Sequence, residues 1–240
     1  MNRTSKIITA IIIGILATAA LAFGTLQLVG GNLDVIGQTS ISSFSKVLAA
    51  SPAQVSADAI NGGWSLAAPD GSARFIWSQD YSESPLHDVM IELSAEPFIA
   101  AGLDASRLPS SYTVNKGMLV VGIKLGNDKL TYTGEATPLA AYEQLVSKYR
   151  GSINYHTALD HFGIMLGDGN MFEWAKDLAE NTVKGTDQDK DIVFVLNPEP
   201  LIAAGVDPQK VAGWVYTQVP VEEGGQTIQI FKFLKPFNIG

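Results

Sequence analysis

Apolar and polar positions along the chain follow one itinerary twice. Ile41 to Ala50 reads as a short amphipathic helix, and Leu139 to Tyr149 repeats it with Leu139, Tyr142, Leu145 and Val146 at helical spacing. Two strand-like runs around a tight turn come next. The first set is Trp64 to Leu66, the turn Pro69-Asp70-Gly71, and Phe75 to Trp77; the second is Phe162 to Leu166, Gly167-Asp168-Gly169, and Met171 to Trp174. Asp-Gly between apolar runs signals a hairpin because the turn needs positive φ. A further strand follows each hairpin, over Asp88 to Leu93 and Asp191 to Leu196.

The correspondence is also literal. Glu96-Pro97-Phe98-Ile99-Ala100-Ala101-Gly102-Leu103-Asp104 returns 103 residues later as Glu199-Pro200-Leu201-Ile202-Ala203-Ala204-Gly205-Val206-Asp207. Phe75-Ile76-Trp77 matches Phe172-Glu173-Trp174, and Asp80 matches Asp177, both at an offset of 97. The change of offset places an insertion of about six residues around Asn181 to Lys190. In the Glu-Pro segment, Pro97 and Pro200 suit a first helical position, and Gly102 and Gly205 suit the residue that ends a helix. A second hairpin closes each round, Tyr112 to Val114 with Met118 to Leu125, and Trp214 to Val219 with Thr227 to Phe233. The expected fold is α+β: a tandem duplication of a small, mostly antiparallel sheet-plus-helices unit, over residues 37–135 and 136–240. The pattern leaves open whether the two units form one sheet or two.

Residues 1–36 change the picture of location. Arg3 and Lys6 precede an uncharged stretch from Ile7 to Leu33, whose apolar core is close to the roughly 20 residues that span a bilayer. A positive flank holds the N-terminus inside and places the rest outside. The expectation is therefore an extracytoplasmic protein, anchored by residues 7–30 or secreted after cleavage at a small-x-small site such as Ala17-Thr18-Ala19. Segment length favours the anchor.

With 16 Lys+Arg against 24 Asp+Glu the net charge is −8, which repels nucleic acid and anionic headgroups. Nucleic acid is set aside as a partner, and the membrane enters only through the N-terminal segment. The absence of cysteine removes disulfides, thiol catalysis and thiolate metal sites.

Candidate chemistry is sparse. His156, Asp160 and His161 are near in sequence and of metal-ligating type, although a spacing of five suits neither one helical face nor one strand face. Asp187, Asp189 and Asp191 alternate as in a calcium loop, but the sixth position is Ile192 and the twelfth Pro198, where Gly and Glu are needed. Ser43-Phe44-Ser45-Lys46 fits S-x-x-K without the companion motifs of that chemistry. Trp64 and Trp214 are the aromatic candidates for a ligand groove, with Trp214 the more exposed expectation. No cofactor is implied.

The functional expectation is a non-enzymatic binding or interaction module, taking an unknown protein or small-molecule ligand at a site between the repeats. A structural subunit self-associating through sheet edges is the alternative, favoured by an apolar strand such as Thr227 to Phe233. A metal-dependent hydrolase using His156, Asp160 and His161 is the second alternative.

Overall fold

The computed structural model describes residues 33–81, 87–156, 160–176, 178 and 191–239. The hydrophobic segment, Asp177, Asp187, Asp189 and the insertion at 181–190 lie outside the described residues. Among the described residues no helix is long and apolar enough to cross a membrane.

The first half runs α1 (Leu33–Ala50), β1 (Val55–Asp58), β2 (Gly63–Ala67), β3 (Ala73–Ser78), β4 (Val89–Ser94), α2 (Glu96–Ala100), β5 (Tyr112–Asn115) and β6 (Met118–Ile123). The second runs α3 (Pro138–Tyr149), β7 (Ile153–His156), β8 (His161–Met165), β9 (Met171–Ala175), β10 (Ile192–Leu196), α4 (Pro198–Ala203), β11 (Val215–Glu223) and β12 (Gln226–Phe237). Two separate six-stranded antiparallel sheets result, ordered β1-β2-β3-β4-β6-β5 and β7-β8-β9-β10-β12-β11. The two orders are the same path, so the α+β layout of the halves is shared.

The local reasons are those in the sequence. Thr137 caps α3 by accepting from the Ala140 N–H, with Pro138 at the first helical position. Asn197 and Pro198 do the same for α4. The strands β1 and β7 are additional to the hairpins read from the pattern. They are four-residue edge strands, and the outward Ser56 of Val55-Ser56-Ala57-Asp58 leaves little alternation to detect.

The sheets face each other over one core to which both halves contribute. At its centre Phe75 of β3 stacks on Phe172 of β9, ring centroids 4.2 Å apart and planes 2° from parallel. These two residues hold the same register position in their sheets, opposite Leu66 and Ile91 in one and Ile164 and Phe194 in the other. Phe44 of α1 and Tyr142 of α3, also counterparts, meet at 4.2 Å. So do Gly102 and Gly205. A residue that touches its own counterpart lies on the axis relating the halves, so these contacts mark an approximate internal two-fold.

The opening helices cross that axis. α1 packs on β7 and β9 of the other half, and α3 on β2 and β3. The Ser43 hydroxyl donates to the Lys176 carbonyl at 3.0 Å, and the Trp77 indole N–H to the Pro138 carbonyl at 3.0 Å. Each sheet is thus covered by a helix from the other half.

Candidate functional site

The interface between the halves is filled rather than hollow. The aromatic rings of Phe44, Phe75, Trp77, Tyr142, Phe172 and Trp174 close it. Trp64 lies on β2 opposite Trp77, half-buried against the core. Trp214 lies just before β11 and packs on Phe98 of α2, centroids 5.5 Å apart. The two tryptophans belong to different sheets and do not share a groove. Among the described residues the seam opens in a shallow groove of about 390 Å³ between α1 and α3, with Gly37 and Ile41 on one side and Glu143, Val146 and Arg150 on the other, and in a smaller one between α1 and the β7–β8 hairpin.

His156 and His161 sit directly opposite each other across β7 and β8. The hairpin, turning through Asp160 at φ 53°, brings together two residues that linear spacing separated. Asp160 joins a different set: it accepts from the Tyr155 hydroxyl and pairs with Lys176 at 3.7 Å. The carboxylate that reaches His156 is Glu173 of β9, 3.0 Å from Nδ1. Lys232 of β12 is on the same outer face, its ammonium donating to the Gly169 carbonyl at 3.0 Å. In sequence Glu173 is only the middle residue of the Phe172-Glu173-Trp174 match, and only the closed sheet places it beside the histidine.

Burial raises the Glu173 carboxyl, but the charges of His156, His161 and Lys232 and the His156 hydrogen bond bring it below its ordinary value. Burial lowers His156, and Glu173 overrides it so that the imidazole ends raised. Burial holds Lys232 down to about 8 against the carboxylates of Glu173 and Glu199. With the imidazole protonated the arrangement is an ion pair between a half-buried histidine and a buried carboxylate, with Lys232 beside it. Among the described residues no group of three or more His, Asp or Glu is disposed to hold a metal ion.

Asp191 accepts from the Ile239 N–H at 2.9 Å. Its counterpart Asp88 accepts from the Leu125 N–H and from Lys124. In both halves this aspartate fixes the chain leaving the last strand.

The halves differ most at their second hairpins. Leu119 lies 5 positions after Val114, whereas Phe233 lies 17 after the equivalent Tyr216, so the second hairpin is longer by 12 residues. β10 pairs with β12 only as far as Phe233. The remainder, 218–231, is a two-stranded arm reaching about 20 Å beyond the sheet at ~3.3 Å per residue. Ile228 and Phe231 are 37% and 46% exposed on it. No known protein family, curated protein or solved structure matches this chain.

Proposed function

We propose that this chain is an exported, membrane-anchored, non-enzymatic interaction module, a tandem duplication of one α+β unit whose second copy carries the docking element. The arm formed by the ends of β11 and β12 carries the reading. A two-stranded ribbon is marginal in water on its own, and this one holds apolar side chains in solvent. A flanking strand from a protein partner supplies what it lacks, by main-chain hydrogen bonds along its edge. The cationic flank and apolar run at residues 3–33 support the anchored, extracytoplasmic placement.

Hydrogen exchange on the full chain in its native membrane tests this. The Gln229 and Phe231 amides are expected to be protected at least about tenfold relative to the purified chain at high dilution. Equal exchange in the two samples would contradict the docking role.

The groove between α1 and α3, about 390 Å³, supports a second reading, a small-molecule site at the seam of the halves. Ile41→Trp fills that groove and tests it. Unchanged binding of a ligand by that variant would remove the reading.

A further inference from the structure

We infer that the partner of the arm is a second copy of this chain, with β12 pairing antiparallel to β12 about a two-fold axis. This rests on the arm being the docking element.

The turn fixes which edge is available. Gly224 and Gly225, with φ of 57° and 78°, form a two-residue loop between the paired Glu223 and Gln226. Residues flanking such a loop make a hydrogen-bonded pair, and the pairs then alternate along the ladder. Pro220 opposite Gln229 therefore belongs to a non-hydrogen-bonded pair, as proline, which lacks a donor, requires. Two consequences follow. The N–H and C=O of Gln229 and Phe231 point away from β11, along the side where β10 has already ended at Phe233. The opposite edge, along β11, has Pro220 directed outward, which removes a donor and blunts it.

The chemistry of the open edge suits its own copy. Two-fold pairing sets a strand against itself, so any charge on it would face a like charge. The chain as a whole carries −8, yet Gly225 to Phe231 contains no charged residue. It also lacks the lysine or proline that guards edge strands. An axis through Gln229 places Ile228 opposite Ile230 of the partner copy, twice, in a pairing that runs from Thr227 to Phe231 and stops short of Phe233, which Leu196 holds. The product is a four-stranded ribbon, β11-β12-β12-β11, which passes the three strands needed for a sheet to stand alone in water.

The chain has no cysteine, so one introduced cysteine bonds only to its own counterpart. In the full chain in membrane vesicles, oxidation of Gln229→Cys is expected to give a dimer at least about tenfold faster than Gln218→Cys on the guarded strand, because counterparts on the axis sit within disulfide reach. Gln229→Pro, which removes the donor and blocks the edge, is expected to leave the purified chain monomeric where the parent chain is dimeric. Equal cross-linking rates for the two cysteines, or an unaltered dimer with Gln229→Pro, would overturn the pairing. Protected amides without a Gln229→Cys dimer would keep the docking arm and assign it to another protein. Unprotected amides without that dimer would remove both.

Discussion

Gly102 and Gly205 meet back to back on the internal axis: a Cβ on either would stand 2.8 Å from the carbonyl oxygen of the other. Around them the Asp104 N–H donates to the Ala204 carbonyl and the Asp207 N–H to the Ala101 carbonyl, each at 2.8 Å. The repeated Glu-Pro segment is thus the contact its two copies make with each other. Both glycines also hold φ near +105°, at 106° and 103°. Gly102→Ala and Gly205→Ala are each expected to cost about 2–4 kcal/mol, combining left-handed strain with a backbone clash. Urea unfolding of the two single variants and the double variant checks this. Because one contact is lost only once, the double variant is expected to fall short of the sum.

The axis is broken at the tryptophans. Trp77 gives its indole N–H to the Pro138 carbonyl, whereas the buried indole N–H of its counterpart Trp174 has no hydrogen-bond acceptor among the described residues. Replacement by phenylalanine removes similar bulk at both positions but a hydrogen bond at only one. Trp77→Phe is expected to be more destabilising than Trp174→Phe by about 1–2 kcal/mol, read from paired denaturation curves.

The His156–Glu173 pair sets a pH dependence. His156 is raised above 6.5 in the folded chain, so its contribution is complete below 6.5 and is lost as pH climbs through the folded value. Glu173 is lowered below 4.5, so its share is complete above 4.5 and is lost on acidification through the folded value. Lys232, held at about 8, acts with the opposite sign to His156, favouring the folded chain as pH rises above that value. As pH rises above 6.5 the parent chain is therefore expected to lose stability relative to His156→Gln. At pH 5.5 His156→Gln is expected to cost about 2 kcal/mol, as the buried carboxylate of Glu173 loses its hydrogen-bonded cation and keeps only the charges of Lys232 and His161. A parallel pair of stability curves across that range would remove the ion pair as the cause.

Local rules made much of the fold legible. Asp-Gly turns, helix-start prolines and the doubled motif in sequence order lead to the strands β2 to β6 and their counterparts, because each signal acts within a few residues. What was not legible depends on closure. The pairing of His156 with His161 and Glu173 arises across three strands, and no linear spacing encodes it. The exchange of α1 and α3 between sheets depends on how the two halves dock, which no spacing within one half encodes. The arm was visible only as the hairpin of Trp214 to Val219 with Thr227 to Phe233; that it outruns β10 is a matter of relative strand length.

The most direct test of the account joins Thr217 to Lys232 through Lys-Gly, the turn that joins Asn115 to Met118 in the first half. This variant lacks 218–231 and keeps every strand that packs on the core. Measured side by side, its unfolding free energy is expected to stay within about 1 kcal/mol of the parent chain, while association in the membrane is lost. Association that survives the deletion would contradict the account.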